Sequence, residues 1–106
     1  MQPNETKLYR EQDRGARAEE ALRNSILLES FDVLRKNYLT AFMASAQGEE
    51  EQRENLWRAL QILDDVENHI KKVARDGRVA RKQIEDLANK LTAQDRNYRL
   101  YAGKPR

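Results

Sequence analysis

The sequence predicts an all-α protein, a small helical bundle built on a long helical hairpin, with a lightly docked N-terminal helix and a basic C-terminal tail. Three observations predict it. Apolar residues recur at steps of three and four through four successive segments. No sustained two-residue alternation of Val, Ile or Thr competes with that period. The four glycines, Gly15, Gly48, Gly77 and Gly103, stand apart from one another as helix punctuation. The expected division is a polar helix over 1–24, a helical core over 25–92 with helices at 26–46, 49–76 and 79–92, and a basic aromatic tail over 93–106.

The first helix rests on Glu, Arg, Gln and Ala, all strong helix formers, with Asn4 as a candidate N-cap. Its inner face runs Leu8, Gln12, Gly15, Glu19, Leu22, a weak apolar stripe. Gly15 in a helix interior costs about 1 kcal/mol against Ala. A helix of this kind docks lightly or becomes ordered on a partner, which makes Leu8 and Tyr9 interface candidates.

The second helix is the most apolar. Asn24 and Ser25 can cap its free N–H groups. Leu27, Phe31, Leu34, Tyr38 and Phe42 form its stripe, and Ile26, Leu28, Leu39 and Met43 widen it. So broad a stripe indicates a helix touched on more than one side. Gly48 is the expected stop.

The third helix carries Glu49, Glu50 and Glu51 in its first turn and Lys71, Lys72 and Arg75 in its last, as the helix dipole favours. Glu49–Arg53, Glu54–Arg58 and Glu67–Lys71 are i,i+4 pairs in the favoured order. Leu56, Leu60, Leu63, Val66, Ile70 and Val73 make its seam. At 1.5 Å per residue its expected length is about 40 Å. Asp76-Gly77 is the expected turn of the hairpin, since glycine tolerates the left-handed conformation of a helix end. The fourth helix continues through Ala80, Ile84, Leu87 and Leu91.

The 106 residues suit one small domain. There is no cysteine, which removes disulfides and thiolate chemistry together. No apolar run approaches the roughly 20 residues that cross a bilayer, and the first residues are polar, so the expectation is a soluble, cytoplasmic protein with no membrane contact. The formal net charge of +2 gives no strong overall pull on nucleic acid. The distribution is uneven. Residues 49–76 hold eight acidic and five basic residues, and residues 77–106 hold three acidic and eight basic. The C-terminal end is the basic end.

Catalytic chemistry finds few candidates. His69 is the single histidine. Asp65, four residues earlier, is the one carboxylate on its face, and two ligands make an incomplete metal site. Asp64 and Asp65 point about 100° apart on a helix, so they do not form a working carboxylate pair. No glycine-rich phosphate loop is present. The reading is a non-enzyme with no cofactor, no metal and no small-molecule substrate.

Two groups of residues point to partners. Trp57 lies beside the Leu56–Leu60 seam and becomes an interface anchor if exposed, because tryptophan is enriched at binding hot spots. In the tail, Arg96, Arg99, Lys104 and Arg106 interleave with Tyr98 and Tyr101. Such cations can neutralise phosphates while aromatics stack on unpaired bases. The same tyrosines can instead anchor the tail on a neighbouring subunit.

Three short stretches resemble a group of small helical proteins of tailed bacteriophages encoded near virion-assembly genes. They are Leu8-Tyr9-Arg10-Glu11-Gln12-Asp13-Arg14-Gly15, then Arg53-Glu54-Asn55-Leu56-Trp57, then Asp76-Gly77-Arg78-Val79-Ala80. The resemblance implies a structural or assembly role through contacts with itself or a larger phage structural protein, as a virion, capsid-associated or portal-associated component. Its location would then be the host cytoplasm or the particle. The other reading is a small nucleic-acid-binding or host-directed regulatory phage protein that uses the basic tail.

Overall fold

The computed structural model describes the chain from residue 3 to residue 102, and the side chains of residues 4–96. It is all-α: α1 spans Pro3–Leu22, α2 spans Ser25–Ala44 and α3 spans Glu50–Ala102. Among the described residues there is no strand.

The hairpin is present, but its turn is not at Asp76-Gly77. α3 runs unbroken for 53 residues through Gly77, and the chain reverses instead between Ala44 and Glu50. The predicted helices at 49–76 and 79–92 are one helix, about 80 Å long at 1.5 Å per residue. Gly77 does not take a left-handed conformation; Gly48 does, with φ 98°. The physical reason is that an interior glycine weakens a helix by only about 1 kcal/mol. No proline follows it, and strong helix formers lie on both sides. Gly48 also departs from its expected role as the stop of α2. The helix ends four residues earlier, and Gly48 serves the turn.

α1 and α2 both run antiparallel to α3 and follow one another along it. Each packs mainly on α3, with little contact between the two. The result is a rod of 90 × 25 × 17 Å, one side a single long helix and the other two shorter helices in series. The joint between α1 and α2 is where the sequence places it. Asn24 is extended at φ −75°, ψ 111°, and its Oδ1 accepts from the Ile26 and Leu27 N–H groups at 3.0 and 3.1 Å. Asn4, by contrast, lies inside α1 rather than capping it. Proline at the first position of a helix has no N–H to leave unsatisfied, so Pro3 suits that start.

The first helix is not lightly docked. Gly15 and Gly77 meet backbone to backbone where α1 crosses α3. A Cβ added to Gly15 would overlap Gly77 Cα and come within 3.2 Å of the Val73 carbonyl oxygen. A Cβ on Gly77 would overlap Gly15 Cα and come within 3.1 Å of the Glu11 carbonyl oxygen. Ala18, Ala74 and Ala80 continue the close approach and are among the few buried residues. The two glycines are a packing requirement, since only a residue without Cβ admits two backbones this close.

Candidate assembly surface

Two helices in register bury a seam and leave both flanks open. On α2 the seam holds Phe31, which is buried, with Tyr38 and Phe42 half-buried; on α3 it holds Leu56, Leu63 and Ile70, also half-buried. No large side chain in the described residues is fully enclosed.

One flank is cross-linked by charge, although it also carries exposed Leu28, Leu39 and Met43 of α2. Arg35 of α2 donates through Nη2 to Asp64 at 3.1 Å and to Glu67 at 2.6 Å, both on α3. Its Nη1 lies 3.6 Å from Asp32, and Lys71 lies 3.4 Å from Glu67. The hydrogen bond from Arg35, helped by Lys71, holds the Glu67 carboxyl below the usual carboxylate range against the opposing effect of burial. The Glu67 bond likewise raises the pKa of Arg35.

At the tip of the hairpin Arg53 closes the turn. Its Nη1 donates to the Phe42 carbonyl at 3.2 Å, the Ser45 carbonyl at 3.0 Å and Ser45 Oγ at 2.7 Å. Its guanidinium carbon lies 4.4 Å from the Phe42 ring centroid. Arg53 therefore satisfies the carbonyls at the end of α2 instead of pairing with Glu49 as expected. The Glu54–Arg58 and Glu67–Lys71 pairs form as the spacing predicts. Trp57 is half-exposed at 51%, on this same flank. Its ring is 6.3 Å from Phe42, tilted at 42°.

The opposite flank has a different composition. Arg35 steps off the seam toward Asp64; Leu34 and Val66 step off it the other way, because adjacent residues diverge by about 100°. On α2 that side carries Leu27, Ser30, Leu34, Asn37 and Ala41. On α3 it carries Asn55, Ala59, Ile62, Val66, His69 and Val73. Both runs keep the three- and four-residue steps of a single helix face. Neither contains an Asp, Glu, Lys or Arg, although 36% of the chain is charged. Leu34, Ile62 and Val66 remain 40%, 60% and 46% exposed. Sequence reasoning missed this face because it counted apolar residues. The signal that finds it is the absence of charge along two heptad-spaced runs.

The other expected partner-binding residues are spread along the rod. Leu8 is half-buried and Tyr9 exposed at the start of α1, where Tyr9 borders a small groove with Ile84, Leu87 and Leu91 of α3. Arg96 is exposed on α3. Arg99, Tyr98 and Tyr101 lie on the helical backbone of α3, but their side chains are outside the described residues, as are Lys104 and Arg106 altogether. The beginning of the predicted tail is thus a continuation of α3 to Ala102. His69 is exposed. Among the described residues no group of three or more His, Asp or Glu side chains is placed to hold a metal ion. None of the described helices is long and apolar enough to cross a membrane.

No protein-family model, curated protein or solved structure matches this chain.

Proposed function

We propose that this chain is a non-enzymatic helical assembly protein that works through protein–protein contacts, as a phage virion component associated with the capsid or portal. One observation carries the reading. The rod is only two helices thick, and over about 27 Å of its 90 Å length it presents a broad face with no charged residue. A helix pair of this kind leaves apolar surface that a further helical layer can cover.

The magnitudes support it. The accessible surface is 8931 Å², whereas a compact monomer of 12.4 kDa exposes about 6,100 Å². The radius of gyration is 24.0 Å, against about 13 Å for a compact domain of this length. An elongated shape accounts for part of that excess. The position of the apolar side chains accounts for a role, because a rod built to stay alone would carry charge on all its outer faces.

Purification of the affinity-tagged full chain from phage-producing cells tests the proposal. The expected result is recovery of the capsid or portal protein, or of assembling particles, with the chain. Recovery of the chain free of any particle protein overturns it.

A further inference from the structure

We infer that the uncharged face of α2 and α3 is the contact between two copies of this chain, which pack face to face and antiparallel to complete a four-helix bundle. The inference rests on the assembly reading and names the partner for one particular face.

The first argument is area. The face runs along α2 from Leu27 to Ala41 and reaches Ala44 at the same spacing, a length of about 27 Å at 1.5 Å per residue. Two helices side by side are about 20 Å across. The footprint is then about 540 Å² in projection and larger along the contoured surface. A specific dimer needs roughly 600–1,000 Å² from each partner. The face is large enough for one such contact and lies on the half of the rod where α1 is absent.

The second argument is charge at the rim. Arg58 and Asp65 border the face on α3, seven residues apart and on one edge of the helix. Arg58 is 64% exposed in its side chain and pairs locally with Glu54 at 2.6 Å. Asp65 is exposed and makes no ion pair among the described residues. A two-fold axis crossing α3 near Ile62 brings Arg58 of one copy toward Asp65 of the other, at both ends of the contact. The same axis sets Asn55 toward His69 of the other copy, since these lie seven residues to either side of Ile62. A parallel arrangement, with its two-fold along the rod, would stack α3 of one copy on α2 of the other and would not bring Arg58 to Asp65. An isologous contact of this kind is the commonest route to a closed dimer. It also asks for no charge from its partner inside the face, which the face itself satisfies.

Sedimentation equilibrium and light scattering on the purified full chain test the inference. The wild type should show twice the 12.4 kDa chain mass at micromolar concentration. Ile62→Glu places a charge at the centre of the contact twice over and should weaken dimerisation by about 100-fold or more. Val79→Glu, at a 52% exposed position on the α1 half, should leave it unchanged. Asp65→Arg should weaken the dimer about tenfold, and adding Arg58→Asp should restore most of the loss. Circular dichroism confirms that each variant keeps its helix content. A wild type that stays monomeric up to about 100 µM, a dimer indifferent to Ile62→Glu, or a double variant no better than Asp65→Arg overturns this arrangement. A monomer that still recovers particle proteins from cells would sink the dimer alone; a dimer that recovers none would sink the assembly reading alone.

Discussion

The two halves of the rod solve the same packing problem in opposite ways. In the α1 half, Gly15 and Gly77 let two backbones touch, Ala18, Ala74 and Ala80 keep them close, and Glu19 pairs with Arg78 at 3.0 Å across the crossing. The flanks there carry charge, including Lys7, Glu11, Arg14 and Asp76. In the α2 half the helices are held apart by Phe31, Phe42, Leu56 and Leu63, and one flank has no charge at all. Small residues give a close, self-sufficient contact. Large ones give a broad contact whose outer edges are left in water. The difference teaches that apolar content alone does not identify core: the more apolar of the two shorter helices, α2, is the one with the more incomplete surroundings.

Perturbing the close half should have the largest effect. Gly77→Val drives a branched side chain into the Gly15 backbone, which cannot retreat as a flexible side chain can. It should destabilise the protein by about 3 kcal/mol, by urea unfolding, and release α1 while α2 stays paired. Arg53→Met removes three hydrogen bonds from the end of α2 and the contact with Phe42. It should cost about 2 kcal/mol and loosen the tip of the broad half without touching α1. Asn24→Ala removes the cap at the joint between the halves and should cost about 1 kcal/mol, read in the same titrations.

The smallest effect concerns the cross-linked flank. The folded Glu67 carboxyl has a lowered pKa, so its contribution is complete above the unfolded value near 4.5. That contribution is lost as pH falls through the lower folded value. Arg35→Met should cost about 0.5–1 kcal/mol at neutral pH. It should also flatten the fall in stability as the pH drops below the unfolded value near 4.5, measured by thermal unfolding through the acid range.

Much of this architecture is legible in the sequence. The heptad-like steps give the helical segments and most seam positions, but Leu34 and Val66, expected in the seam, lie exposed on a flank; the Leu8, Gln12, Gly15, Glu19, Leu22 face of α1 is the face that packs. Asn24 caps α2 as its short acceptor side chain predicts. Gly77 misleads because a glycine at a helix end and a glycine at a helix crossing look alike locally. What separates them is a second glycine at a matching seam position on another helix, Gly15, whose meaning depends on a contact 62 residues away. Arg53 misleads in the same way: its i−4 glutamate is visible in sequence, whereas the Ser45 and Phe42 carbonyls converge on it only after the chain reverses. The uncharged face is written in two separate runs. Only the position of the reversal, between Ala44 and Glu50, puts them on one side of the rod.

The central claim, that one half of the rod is complete in itself and the other awaits a second copy, is tested most directly by hydrogen exchange at rising protein concentration. The account predicts that amides within 27–44 and 55–73 gain protection as the chain is concentrated, while those of 8–22 hold theirs unchanged. Protection that is independent of concentration in both halves, or that rises first over 8–22, would contradict it.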